Sequence, residues 1–178
     1  RLANEEWGLL LPYGVPSIRM PRQPSGRECR VSDAELTRID GHLTPVMQLA
    51  VQIAVSTGMR RGEVAKIKVD DLNEADSSLL VPETKTGKRR IVPLRQELCS
   101  ALRAHLSLHT GRLGVSPDSI TQAFQRACVK ADINDLRFHD LRHEAITRMF
   151  EHGLSVPRVA LISGHTDYRM LARYTHIR

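Results

Sequence analysis

Two short runs, Ser78-Leu79-Leu80-Val81-Pro82 and Arg90-Ile91-Val92-Pro93-Leu94, interrupt a chain whose apolar residues otherwise recur at helical spacing. Thr84-Lys85-Thr86-Gly87, a turn-forming stretch, stands between them. The period changes from 3.6 to 2 and back again, so the fold must hold one hairpin among helices. The pattern predicts a mainly α domain with one small antiparallel β-sheet, an α+β arrangement with Lys85 at the hairpin tip. A third strand is expected from Val69 to Leu72.

The helical parts carry their own punctuation. Ser32-Asp33-Ala34-Glu35 is a capping box, in which the Ser oxygen caps the helix and the Glu reaches back. Pro45 suits a first helical turn, and Val46, Leu49, Ala50, Ile53 and Ala54 form one stripe up to Thr57. Gly58 is placed to end that helix in a left-handed conformation. A short helix is expected over Arg61 to Ile67. Further helices are expected over about 95–108, 116–131, 139–152, 156–163 and 167–174. Residues 1–30 read differently. Pro12, Gly14, Pro16, Pro21, Pro24 and Gly26 break any periodicity there. That stretch is expected to be a basic linker and the end of a preceding domain, with the compact domain spanning 31–178. The lack of an initial Met agrees with a piece of a longer protein.

Composition narrows the classes. With 178 residues the chain can bury a sizeable core, and aromatics at 4% leave that core to Leu, Val, Ile and Ala. No apolar run approaches the roughly 20 residues of a membrane helix, and no secretory leader is visible. The three cysteines, Cys29, Cys99 and Cys128, are too few and too scattered for a disulfide framework or a Cys-rich zinc site. A cytoplasmic protein is expected. The net charge of +6 permits a polyanionic partner. Clustering says more than the total: Lys88-Arg89-Arg90 flanks the hairpin, and Arg137, Arg142 and Arg148 share one short stretch.

The chemistry concentrates near the C-terminus. His139-Asp140-Leu141-Arg142 places an imidazole and a guanidinium three positions apart, on one helix face. Gly164-His165 follows, then Tyr174 nine residues on. Upstream, Thr57-Gly58-Met59-Arg60-Arg61-Gly62-Glu63 adds an arginine, and Lys85 a lysine. Phosphodiester chemistry asks for such a set: cations and donors for phosphate oxygens, and a nucleophile for phosphorus. Arg142 can fork two N–H groups toward phosphate, and His139 can take a proton near neutral pH. Each piece alone has an ordinary reading. A His and Arg three apart often share a solvated face. Glu63 beside Arg60 is as readily a surface salt bridge, a turn lysine is commonly just exposed, and a C-terminal Tyr usually packs.

In this order the residues resemble the catalytic domain of the tyrosine recombinases, the phage integrase family. That family runs Arg, hairpin Lys, His-x-x-Arg, His or Trp, then Tyr. Arg60 stands at the first arginine and Glu63 at the acidic position. Lys85 stands at the catalytic lysine, and His139 and Arg142 form the His-x-x-Arg box. Leu161-Ile162-Ser163-Gly164-His165 is similar to the Leu-Gly-His box, with Ser163 where Gly is usual. Tyr174 stands at the nucleophile. The resemblance spans about residues 32–178.

What the resemblance implies is a metal-free, cofactor-free transesterification. Tyr174 would attack a DNA phosphate, forming a 3′-phosphotyrosine and releasing a 5′-hydroxyl. Arg60, Arg142 and His165 would hold the non-bridging oxygens, His139 would take the phenolic proton, and Lys85 would protonate the leaving oxygen. Lys88, Arg89, Arg90, Arg61 and Arg137 are candidate DNA contacts. The implied partners are double-stranded DNA and, for a full-length protein, three further copies in a homotetramer, with the isolated piece a monomer. Three alternatives stay open: a type IB topoisomerase-like enzyme, a non-catalytic helical DNA-binding regulator, and a His-dependent metal nuclease. The last lacks carboxylates at recognisable ligand spacing.

Overall fold

The computed structural model describes residues 29–82 and 88–174. The expected linker, apart from Cys29 and Arg30, lies outside these residues, as does Lys85, which the sequence pattern assigns to the hairpin tip. Helix α1 (Asp33–Asp40) opens on the capping box: Ser32 Oγ accepts from the Glu35 amide at 3.2 Å, and Glu35 accepts from the Ser32 amide at 2.9 Å. Helix α2 (Pro45–Thr57) has its proline in the first turn and ends at Gly58, whose φ is 68°. A β-carbon at Gly58 would lie 3.5 Å from that of Ala145, so glycine also permits a close approach of α2 to a later helix. Helix α3 (Arg61–Val64) is a single turn, shorter than the run to Ile67 that its apolar residues suggest.

The sheet is antiparallel and three-stranded, in the order β1 (Leu72–Asn73), β2 (Ser78–Val81), β3 (Arg90–Pro93). The third strand is a correction to the expectation: Val69–Asp71 coils as a 3-10 turn, and only Leu72 and Asn73 pair with β2. Asp71 accepts from the Lys68 amide at 3.0 Å, which favours the turn over extension. Leu79 faces Val92 and Val81 faces Arg90. The alternation sends Arg90 and Val92 inward and leaves Ile91 exposed.

Helices α4 (Gln96–Leu108), α5 (Pro117–Lys130), α6 (Asp140–Glu151) and α7 (Val156–Ser163) complete the frame. Helix α2 is its axis, packed against α4, α5 and α6. The core is aliphatic, with Ile53, Leu102, Leu106 and Leu141 fully buried. Its aromatic contribution includes Phe124 and Phe138, edge to face at 5.6 Å. A second, smaller cluster of Ile146, Met149, Val159, Ala160, Leu171 and Tyr174 lies between α6, α7 and the last segment. That segment, Tyr168–Tyr174, is a 3-10 helix rather than the α-helix expected. Among the described residues no helix is long and apolar enough to cross a membrane.

Candidate active site

Helix α6 presents the centre of the site. The buried Asp140 accepts from the Arg137 amide at 2.8 Å and starts the helix, so His139 and Arg142 fall on one face. Arg142 is 5% exposed. Its Nη1 donates to the carbonyls of Gly58 and of Ser163, the latter at 2.8 Å. Both carbonyls close helices, α2 and α7, that end in left-handed glycines; Gly164 has φ 73°. The negative ends of two helices therefore meet a buried guanidinium and offset part of its desolvation. Burial, then the nearby Arg60, pushes Arg142 down to about 10, so it remains a cation at neutral pH.

Arg60 precedes the single turn of α3. Glu63 reaches back to its amide at 2.8 Å and to its guanidinium at 3.2 Å. Glu63 is buried, not a surface partner. Burial pushes its carboxyl up, but hydrogen bonds from Arg90 and the Arg60 amide and the charge of both guanidiniums hold it below the usual range. Arg90 is the correction here. Its side chain is 6% exposed, and it grips Glu63 with two nitrogens at 3.0 and 2.7 Å. Its Nε donates to the Ile162 carbonyl at 2.9 Å. A guanidinium so enclosed is not a surface contact for DNA.

His165 follows Gly164 and stands beside Arg142, whose Nη2 lies 3.2 Å from its Nε2. Burial, then Arg142 and Arg60, holds His165 down to about 4, so the ring is neutral at pH 7. Ser163 sets its orientation. The buried Ser163 Oγ lies 2.6 Å from the Val159 carbonyl and 2.7 Å from His165 Nδ1. A hydroxyl has one proton, and the carbonyl can only accept. The proton therefore goes to Val159, and the Ser oxygen accepts from Nδ1–H, which leaves a lone pair on Nε2. His139 is lowered too, by desolvation and then by Arg142. Arg60 appears among the charges acting on Arg142, His139 and His165, so four of the expected residues share one electrostatic neighbourhood.

Tyr174 is 6% exposed, with its hydroxyl hydrogen-bonded to His143 Nδ1. Its ring stacks with His143 and Phe150, and the Arg173 guanidinium lies 5.4 Å from its centroid. His143 was absent from the expected set, although it falls one turn after His139; the two rings are 5.1 Å apart, edge to face. Tyr168 is 55% exposed. The two phenols of this 3-10 segment therefore differ in burial, Tyr174 packed inside and Tyr168 turned out.

Two cationic clefts adjoin these residues, one at Arg142 and one at His165. One, of about 340 Å³, is lined by Arg61, Arg137, His139 and Arg142. Arg61 is partly engaged, donating to Thr121 at 2.6 Å and pairing with Asp118 at 3.4 Å. The other, of about 310 Å³, is lined by Lys88, Arg89, Arg90, His165 and Tyr168. Lys88 and Arg89 are exposed there. Arg148 belongs to neither: it turns to Glu144 at 2.7 Å and Asp33 at 2.8 Å. Among the described residues no three His, Cys, Asp or Glu side chains gather as metal ligands.

Known proteins resemble this chain in sequence and in fold. The shufflon-specific DNA recombinase of Escherichia coli is 35% identical over 182 residues, covering 99% of this chain and 47% of that protein. The chain thus spans about half that relative's length. The crystal structure of XerA recombinase is 26% identical and superposes with a TM-score of 0.73, covering 87% of this chain and 62% of that one. A lambda integrase dimer bound to a core site has the same fold, with a TM-score of 0.68 at 22% identity, over 86% of this chain and 49% of that one. Residues 38–178 match the sequence pattern of the phage integrase family, and the chain belongs to that family.

Proposed function

We propose that this chain is the catalytic domain of a site-specific DNA recombinase that cuts and rejoins double-stranded DNA through a 3′-phosphotyrosine. The observation that carries the reading is the convergence of Arg60, His139, Arg142 and His165 between two cationic clefts. A phosphate seated there meets two guanidiniums, and preorganised charge of this kind lowers the barrier to a pentacovalent state. Tyr174 Oη forms the new bond to phosphorus, and the bond from phosphorus to the 5′ oxygen breaks. That oxygen takes a proton from Lys85, the residue the family resemblance assigns. The phenolic proton goes to an imidazole. His143 already holds the Tyr174 hydroxyl, whereas His139 stands against the ring of His143. His143 is therefore the better placed acceptor. A 5′-hydroxyl from a partner strand reverses the step, so the bond energy is conserved.

In the full-length protein the exchange joins two DNA sites within a homotetramer, and this chain alone is a monomer. Its place of action is where bacterial DNA lies, the cytoplasm. Nicked suicide duplexes test the reading, because they trap the covalent protein–DNA adduct. Tyr174→Phe should abolish the adduct and leave DNA binding intact, and Tyr168→Phe should stay within a few-fold of wild type. An adduct mapping to Tyr168 would overturn the assignment of the nucleophile. Relaxation of supercoils without site preference would favour the topoisomerase-like alternative.

A further inference from the structure

We infer that Arg90 is a positioning residue that locks the hairpin strand to both halves of the catalytic centre. This rests on the reading of Arg60 as a group that holds the phosphate and of His165 as the ring that orients Arg142 beside it through Nε2. Three contacts carry the inference. Two nitrogens of Arg90 grip both oxygens of Glu63, and Glu63 in turn holds the amide and guanidinium of Arg60. The Nε of Arg90 holds the Ile162 carbonyl, near the end of α7 and three residues before His165. The guanidinium also lies flat under Gly164: a β-carbon there would stand 2.8 Å from Arg90 Cζ. Glycine at 164 thus serves two ends, a left-handed backbone and room for the guanidinium below it.

Arg90 is the first residue of β3, the strand that leaves the hairpin tip. One side chain therefore fastens that strand to α3, which sets Arg60, and to the end of α7, which sets His165. The planar fork is the reason for arginine. A lysine keeps the charge but cannot grip two carboxylate oxygens and a carbonyl at once. Its neighbour Arg89 is exposed and lines the cleft beside Lys88.

The test uses the full-length protein and a duplex captured covalently from a random library by the wild type. Cooperative melting is checked first. Arg90→Lys should slow single-turnover adduct formation at saturating DNA by about 10²-fold, the scale of a displaced catalytic group. The slope of log affinity against log salt on a duplex of arbitrary sequence should not change, because no phosphate contact is lost. Arg89→Gln should instead lower that slope by about 1. A slope lowered by Arg90→Lys, with adduct formation retained, would overturn the inference and return Arg90 to the DNA surface. If Arg90→Lys does not fold, Gly164→Ala crowds the same guanidinium with every charge kept. Gly58→Ala carries the same left-handed strain beside Arg142 without touching Arg90. A loss of adduct by Gly164→Ala at unchanged slope that exceeds the loss by Gly58→Ala therefore supports the inference, and a loss no greater refutes it. If the wild type binds duplexes but captures none, the recombinase reading has failed, and the salt slope of Arg90→Lys still decides whether this side chain touches DNA.

Discussion

Three imidazoles, His139, His143 and His165, stand close to Arg142, and burial lowers the basicity of each. For His165 the folded value is about 4 against an ordinary 6.5. Between these limits the unfolded chain binds more protons than the folded one. Stability then rises with pH, is complete above the unfolded value, and is lost as pH falls toward the folded one. Thermal melts of the DNA-free protein should therefore rise from pH 4.5 to pH 6.5 on the order of the His range. His165→Gln should flatten part of that rise; an identical pH dependence in the variant would assign it elsewhere. Ser163 allows a finer test. Its accepted bond from Nδ1–H should appear in nitrogen NMR as the Nδ1-protonated tautomer of His165. Ser163→Ala should shift the population toward Nε2–H, and an unmoved spectrum would contradict the role given to the hydroxyl. His143 can be probed in the same chemical terms. His143→Phe keeps the stacking on Tyr174 but removes the proton acceptor, and should slow adduct formation by about 10²-fold or more. Faster adduct formation would show that His143 only restrains the nucleophile.

Helix ends, more than helix faces, build this site. Gly58 and Gly164 turn the last carbonyls of α2 and α7 onto Arg142. Gly58→Ala would force a side chain into a left-handed conformation, costing about 1–2 kcal/mol. It would also press toward Ala145, and should lower the denaturation midpoint together with adduct formation. A variant with wild-type stability would mean that the turn can relax. Much of this was legible in the sequence. The capping box, the Pro45 start, the Gly58 stop and the change of period each follow from local chemistry, and each is found where the residues suggest. The hairpin also held the clue to Arg90, since alternation from Val92 and Leu94 points it inward. Basic neighbours at Lys88 and Arg89 obscured that clue, because a charge in such a run is usually solvated. Glu63 was ambiguous for the matching reason: its partner across the fold, Arg90, is 27 residues away, and no local spacing reports it. His143 was hidden by its neighbour in the His-x-x-Arg box. The last segment's 3-10 winding was not legible either, since Leu171 and Tyr174 pack into the small cluster at a three-residue spacing that suits an α-helix and a 3-10 helix alike.

At the scale of the molecule, the charge of +6 matters less than its division between two clefts, one reaching Arg142 and the other His165. Arg61 and Arg137 line one and Lys88 and Arg89 the other, so a duplex crossing the site would meet cations before and after the phosphate that reacts. Such contacts displace counterions and carry no sequence information. The chain alone should bind duplexes weakly. With on the order of six phosphate contacts, its affinity should drop about 10³-fold between 50 and 200 mM salt. The clefts should also act additively. Neutralising Lys88 and Arg89 together should reduce the salt slope by about 2, and adding Arg137→Gln should remove about 1 more. Arg61 should contribute less than a full unit, because Thr121 and Asp118 already engage it and its release offsets part of the gain. Titrations at four or five salt concentrations separate these cases. If neutralising one cleft abolished the whole slope, DNA would run along that side alone, and the catalytic centre would lie at the edge of the bound duplex rather than beneath it.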